Sequence, residues 1–203
     1  MTSIILAGGK SLRFGRSKAL ETIDGKSLIE WVVDRLTPLS REIIIVTSKG
    51  DCLTSLVVNI ALPLKIIADI YPGKGPLGGI YTGLTELSSS HAIIAGCDMP
   101  FLDVAFLDYM TQVSPLVDIV VPRIGEWVEP LCAVYSKNCL APIYGLLQHN
   151  ELRISELFNL TKVKYVEEAE IDRFDPEHLS FFNINTQAEL ARARKLAVEK
   201  GWL

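Results

Sequence analysis

Short continuous runs of isoleucine and valine recur along the chain and restrict its possible folds more than any other feature. Each run is apolar at consecutive positions, as expected for strands of a parallel sheet that is covered on both faces. Segments with helical spacing of apolar residues separate the runs, which predicts a three-layer α/β/α fold with a mostly parallel, Rossmann-like sheet. The predicted strands are 3–7, 42–47, 64–68, 91–96 and 117–121, and the predicted helices are 27–36, 79–87 and 103–113.

The last third of the chain is less regular. Its predicted elements are a strand over 130–136, helices over 138–148 and 153–158, and a strand over 179–185. Thr186 is predicted to cap a final helix, with Glu189 three residues later as the reciprocal capping residue. Because neither an internal repeat nor a change of composition interrupts the 203 residues, we expect one domain over 1–203.

Composition and charge exclude several classes of protein. Apolar residues make up 49% of the chain and the net charge is −4, which is typical of a globular protein. A mildly acidic chain without a cluster of basic residues has no obvious surface for binding nucleic acid. No apolar run is long enough for a membrane span or a secretory signal, so we expect a cytoplasmic protein. The four cysteines include no C-x-x-C pair and the three histidines lie far apart, which disfavours a zinc site or a disulfide framework.

The stretch ILAGGKSLRFGRSK, residues 5–18, runs from a predicted strand into glycines and basic side chains. It fits neither the P-loop, because Ile4 stands where glycine is required, nor the dinucleotide fingerprint. Glycine lets backbone N–H groups approach phosphate oxygens, while Arg13 can donate two hydrogen bonds and Lys18 supplies a point charge. The stretch therefore predicts a phosphate-binding loop at the carboxyl edge of the sheet; the alternative is a surface turn with solvated cations.

The spacing L-A-G-G-x-S-x-R-x-G-x-x-K in this stretch resembles the signature loop of nucleotidyltransferases. These enzymes join a nucleoside triphosphate to a phosphorylated acceptor and release pyrophosphate. Phe14 stands where methionine is more usual in that family.

The string AGCDMPFL, residues 95–102, places Asp98 at the end of a predicted central strand. Because Asp103 can cap the following helix, Asp98 is left available for another role. A carboxylate at this edge, facing a triphosphate held by Arg13 and Lys18, would hold Mg²⁺. The C-D-x-P-F string also resembles the metal-binding element of the nucleotidyltransferases.

Two further clusters complete the candidate site. ADIYPGKGPLGGIYTGL, residues 68–84, starts with Asp69 and resembles the base-recognition loop of the same family; the alternative is a flexible connection that starts a helix at Gly79. The third cluster joins EPL, residues 129–131, to FNINT, residues 182–186, where Asn183 and Asn185 would share one face of a strand. These asparagines would complete the metal or acceptor site, unless the segment is only a strand end before a capped helix.

F-N-I-N-T before a capped final helix resembles the C-terminal part of the molybdenum cofactor guanylyltransferases, so the likeness runs from Leu6 to beyond Leu190. It implies a nucleotide-diphospho-sugar transferase-like fold, with nucleotide bound by about 1–110 and acceptor by about 111–203. L-A-G-G, rather than L-A-A-G, is associated there with guanine nucleotides. Glu129 departs from the family, which often has histidine before the mid-chain proline.

This resemblance implies transfer of GMP from GTP to molybdopterin, with Mg²⁺ as cofactor. Transient contact with molybdenum-insertion and molybdoenzyme-maturation proteins is expected. The implied catalytic residues are Arg13, Lys18 and Asp98, and Asp98 is also the metal ligand. The implied GTP-binding residues are Leu6, Ala7, Gly8, Gly9, Lys18, Asp69, Pro76, Leu77, Gly78 and Asp98, and the implied acceptor-binding residues are Asn183 and Asn185.

Two other interpretations remain open at this point. One is a related nucleotidyltransferase that uses CTP or another phosphorylated acceptor, such as a sugar phosphate or a cobinamide. The other is a nucleotide-binding module without turnover. The joint presence of Arg13, Lys18 and Asp98 speaks against the second, because a sensor does not need the full catalytic set.

Overall fold

A computed structural model of the protein describes residues 1–8, 18–48 and 62–202. Its strands are β1 (Thr2–Leu6), β2 (Thr22–Ile23), β3 (Lys26–Ser27), β4 (Glu42–Thr47), β5 (Leu64–Ala68), β6 (His91–Gly96), β7 (Ile119–Ile124), β8 (Trp127–Val128), β9 (Cys132–Ser136) and β10 (Val163–Glu167). Its helices are α1 (Leu28–Leu36), α2 (Gly75–Thr85), α3 (Val104–Val113), α4 (Leu140–Gln148), α5 (Ile154–Phe158), α6 (Glu168–Ile171) and α7 (Gln187–Glu199).

The main sheet has the strand order β10-β7-β9-β6-β1-β4-β5, with β8 paired to β7. β1 runs parallel to both of its neighbours, and the pairs β4–β5 and β7–β10 are also parallel. β9 runs antiparallel between β6 and β7, and β8 is antiparallel to β7. The sheet is therefore mixed but mostly parallel, which confirms the predicted fold class.

The strands carry apolar side chains on both faces because helices cover both. Ile5 of β1 lies in one core with Val32 of α1 and Phe106 of α3. Ile4, the adjacent residue, faces the other core with Leu77 of α2 and residues of α4. Neighbouring residues on a strand point to opposite faces, so continuous apolar runs serve both layers at once.

A third, smaller core fixes the C-terminal segment to the rest of the molecule. It joins Ile23 of the β2–β3 hairpin, Trp31 of α1 and Phe101 to Ile184 and Leu190. The last of these belongs to α7, whose first turn is capped by Thr186. The residues after 180 are thus packed against the end of the sheet that follows β6.

Gly83 in α2 lies so close to Ile4 of β1 that there is no room for a side chain. A Cβ atom at position 83 would stand 2.5 Å from Cγ2 of Ile4, which is fully buried and β-branched. We expect Gly83→Ala to lower the free energy of unfolding by about 1–3 kcal/mol in urea denaturation, although alanine favours a helix.

Gly145 in α4 supplies the matched control. No atom outside its own stretch of helix lies within 4 Å of its Cβ position, so Gly145→Ala should stabilise the protein by roughly 0.5–1 kcal/mol. Equal changes in stability at positions 83 and 145 would contradict the close packing of α2 on β1.

The structure corrects two predictions about local structure. α2 begins at Gly75 rather than Gly79, because Pro76 in its first turn needs no hydrogen-bond partner for its nitrogen. Residues 179–185 do not form the predicted strand: Leu179–Phe181 is a 3-10 turn and the rest has no strand pairing. In the part of the chain that the structure describes, no helix is long and apolar enough to cross a bilayer.

Candidate active site at the carboxyl edge of the sheet

The candidate site lies where β1, β5 and β6 end. Gly8 follows β1, Asp69 follows β5 and Asp98 comes two residues after β6, and parallel strands bring these ends to one edge. Because β9 runs the other way, the residues that precede it, including Glu129, reach the same edge. This is the edge at which open α/β sheets bind ligands.

Lys18, Asp98 and Asn185 form the centre of the site. The Lys18 ammonium donates a hydrogen bond to Oδ2 of Asp98 at 2.6 Å and another to Oδ1 of Asn185 at 2.7 Å. The ion pair is largely shielded from solvent, with side-chain exposures of 13% for Lys18 and 21% for Asp98. Partial burial strengthens such a charged contact relative to a surface pair.

The segment 183–185 is held at the site by the residue between the two asparagines. The backbone N–H of Ile184 donates to the carbonyl oxygen of Asp98 at 3.0 Å, and the Ile184 side chain is fully buried in the third core. The two residues that follow Ile184 are held by Glu189. It accepts hydrogen bonds from the backbone N–H of Asn185 and the hydroxyl of Thr186, which fixes the start of α7. This anchoring brings both asparagine side chains to the site without a strand.

Glu129 and Asn183 form the second contact of the site. Oε1 of Glu129 accepts from the backbone N–H of Leu131 at 3.0 Å, and Oε2 accepts from Nδ2 of Asn183 at 3.4 Å. Only 7% of Glu129 is exposed. Burial raises the pKa of this carboxyl group, and the nearby charge of Asp98 raises the pKa further, whereas the two hydrogen bonds lower it. The predicted grouping of residues 129–131 with 182–186 is confirmed by this contact.

Asp69 is tied to α2 and fixes the loop between β5 and this helix. Its Oδ1 atom accepts hydrogen bonds from the backbone N–H of Tyr71 at 2.9 Å and from the hydroxyl of Thr82 at 2.8 Å. A Cβ atom at Gly78 would stand 2.8 Å from the carbonyl oxygen of Tyr71, so this glycine is required for close approach of loop and helix. These contacts hold the loop against the first turns of α2.

The other sequence-predicted residues fall into three groups. Leu6, Ala7 and Leu77 are buried, so their side chains belong to the core. Gly8 and Pro76 are exposed at the edge. Gly9 and Arg13 lie outside the described residues.

The donor set around Asp98 suits a hard divalent cation. Oδ2 of Asp98 and Oδ1 of Asn185 both accept hydrogen bonds from the Lys18 ammonium, so a carboxylate and an amide oxygen lie close to one cationic group. Oxygen ligands of this kind are the ones that Mg²⁺ takes, with substrate phosphates completing its coordination. Among residues 1–8, 18–48 and 62–202, no group of three or more histidine, cysteine, aspartate or glutamate side chains could hold a metal ion alone.

The three cysteines that the structure describes lie in the core. Cys97, Cys132 and Cys139 are all buried. Burial raises the pKa of Cys139 to about 12 and that of Cys132 well above its usual value, so both thiols stay protonated at neutral pH.

Known proteins are similar to this chain in sequence and in fold over nearly their full lengths. Residues 3–162 match the family model described as MobA-like NTP transferase domain. The chain is 34% identical over 199 residues to a probable molybdenum cofactor guanylyltransferase of Pelotomaculum thermopropionicum, covering 97% of this chain and 93% of the relative. It is 36% identical over 203 residues to a molybdenum cofactor guanylyltransferase of Desulfosudis oleivorans, covering 99% and 97%.

The fold agrees with that of a solved structure. The crystal structure of molybdopterin-guanine dinucleotide biosynthesis protein A from Archaeoglobus fulgidus superposes with a TM-score of 0.83 at 26% identity, covering 98% of this chain and all of the other.

Proposed function

Because the chain belongs to the family of MobA-like NTP transferase domains, we propose that it transfers GMP from GTP to molybdopterin and releases pyrophosphate. The observation that carries the proposal is the cluster of Lys18, Asp98 and Asn185 at the carboxyl edge of the sheet. In this cluster a lysine ammonium contacts one carboxylate oxygen and one amide oxygen. Relatives named for this activity align over nearly the whole chain.

The reaction needs positioning and charge neutralisation rather than covalent chemistry by the protein. An oxygen of the acceptor phosphate attacks the α-phosphorus of GTP in line, and the bond from that phosphorus to the bridging oxygen of the β-phosphate breaks. Pyrophosphate leaves with the electron pair. No general base is required, since a phosphate monoester is already an anion at neutral pH.

The residues of the site divide this work between them. Lys18, with Arg13, would stabilise the negative charge that grows on the leaving pyrophosphate. Asp98, with Asn185 as the second available oxygen, would hold Mg²⁺, which when bound supplies positive charge to the phosphate oxygens. Asn183 and Asn185 would contact the acceptor, and the segment from Asp69 to Gly78, which includes the first turn of α2, would contact the guanine base.

The proposed base recognition predicts that GTP stabilises the protein more than CTP or ATP. A site built to hydrogen-bond to the edge of guanine leaves buried groups unpaired when another base enters. At a GTP concentration of about 100 times its Kd, the expected stabilisation is about 2.7 kcal/mol, with a smaller shift for the other nucleotides. Thermal unfolding at matched nucleotide and Mg²⁺ concentrations measures this. Equal stabilisation by GTP and CTP would rule out guanine selectivity.

The direct test is a transfer assay with the purified protein, Mg²⁺ and GTP labelled in its α-phosphate. We expect label in a dinucleotide product and release of pyrophosphate only when molybdopterin is present. Replacing molybdopterin by sugar phosphates or cobinamide phosphate tests a related acceptor, and replacing GTP by CTP tests the other nucleotide. Activity with one of these substitutes and none with GTP and molybdopterin would overturn the proposal.

A further inference from the structure

The contact between Glu129 and Asn183 orients the side-chain amide of Asn183. An asparagine amide has a donor, Nδ2, at one end and an acceptor, Oδ1, at the other. Nδ2 of Asn183 lies 3.4 Å from Oε2 of Glu129 and 3.4 Å from the carbonyl oxygen of Phe181. A carboxylate oxygen and a backbone carbonyl oxygen both accept hydrogen bonds, so both partners favour the amide nitrogen on this side.

The Oδ1 atom of Asn183 is therefore turned the other way. Within the described ranges 1–8, 18–48 and 62–202, no group donates a hydrogen bond to it, although Asn183 is partly buried. A nearby phosphate could not donate this hydrogen bond, since phosphate oxygens are acceptors like Oδ1.

We propose that Glu129 is a positioning residue that sets the direction of the Asn183 amide, so that Oδ1 accepts a hydrogen bond from an N–H group of the acceptor. A pterin carries such groups in its ring amide and its exocyclic amine. This inference rests on the proposed function, because it concerns the acceptor side of the same site. It assigns a role to the glutamate at a position where related enzymes often have histidine.

Replacing Glu129 by glutamine should reverse the orientation of the Asn183 side-chain amide. Glutamine has one acceptor oxygen, and the backbone N–H of Leu131, which now donates to Oε1 of Glu129, cannot turn away. The new NH₂ group must then face Asn183, whose own amide has to rotate and point Nδ2 towards the acceptor. We expect Glu129→Gln to raise KM for molybdopterin about 10-fold, the loss of one hydrogen bond, with KM for GTP and kcat nearly unchanged.

A second substitution should restore the site. In the double variant Glu129→Gln with Asn183→Asp, a carboxylate oxygen at 183 accepts from the glutamine NH₂, and the other carboxylate oxygen takes the place of Oδ1. The expected KM for molybdopterin lies within roughly 3-fold of wild type, given the weak contribution of the lost Phe181 contact. A residue with only a structural role would not be rescued by this exchange. Glu126→Gln, three residues earlier on an exposed turn, is the matched control and should leave all parameters unchanged.

Three results would overturn the inference: a double variant as impaired as Glu129→Gln alone, an unchanged KM in Glu129→Gln, or a change in Mg²⁺ dependence in place of KM for molybdopterin. The last would mean that Oδ1 faces the cation.

NMR follows the amide itself, independently of activity and in any variant that remains folded. Hydrogen exchange of the Asn183 side-chain amide, assigned from its loss in Asn183→Asp, should be slow in wild type and faster in Glu129→Gln; equal rates would also contradict the inference. Absence of guanylyl transfer by the wild-type protein would instead refute the proposed function, which keeps the two failures distinct.

Discussion

Asp98→Asn should leave the fold intact and reduce the rate of guanylyl transfer by about 10³-fold. Under the proposed function Asp98 supplies the carboxylate that holds Mg²⁺, and a neutral amide is a weak ligand for a hard cation. Loss of several kcal/mol of charge stabilisation in the transition state corresponds to a factor of this size. The substitution also removes the negative partner of the Lys18 ammonium, now 2.6 Å away. Transfer of labelled GMP to molybdopterin measures the rate, and thermal unfolding checks the fold.

Asp108→Asn is the control for this change. Asp108 lies on α3, ten residues along the chain, where its Oδ2 accepts a solvent-exposed hydrogen bond from Nε2 of Gln112. The same loss of charge there should leave the rate of transfer at the wild-type value. If Asp98→Asn is folded and as active as Asp108→Asn, Asp98 has no part in the mechanism.

Lys18→Ala should lower kcat by about 10²-fold and weaken GTP binding by a smaller factor. In the structure the ammonium lies between Asp98 and Asn185 at the end of the first strand. Under the proposed function, the negative charge near it grows as the bond between the α- and β-phosphates breaks. An interaction that is strongest in the transition state affects kcat more than ground-state affinity. Transfer kinetics give kcat, and calorimetry gives the affinity for GTP.

Lys65→Ala tests whether the loss of any lysine ion pair has this effect. Lys65 of β5 pairs with Glu42 at 2.8 Å and is half exposed, at a surface away from the site. Its removal should change stability by less than about 1 kcal/mol and leave kcat unchanged. If Lys18→Ala loses affinity alone, Lys18 holds the bound triphosphate and has no catalytic role.

The sequence predicted the strands best where apolar runs are long and bounded by polar residues. The strands at 42–47, 64–68 and 91–96 have the predicted boundaries. The strand predicted over 179–185 is absent, although Phe182 and Ile184 have the alternating apolar spacing of a strand. Here the backbone N–H of Phe181 bonds to His178 and that of Ile184 to Asp98, so tertiary contacts override the local pattern.

The part of the site that the strand ends bring together could be predicted from the sequence. Parallel strands bring Asp98 close to the first loop, and Lys18 indeed contacts it. The partners of the two asparagines could not be read from spacing in the same way. Asn183 bonds to Glu129, 54 residues away, and Asn185 bonds to Lys18, 167 residues away, through the packing of Ile184 rather than a shared strand face.

The attachment of Ile184 to Asp98 has a consequence for how such enzymes can evolve. The match to the family model ends at residue 162, whereas the segment that closes the site lies beyond it and is anchored by a backbone hydrogen bond and one buried side chain. Neither anchor depends on the identity of residues 183 and 185. Substitutions at these two positions can therefore change the side chains that the segment presents while its attachment to the rest of the fold stays as it is.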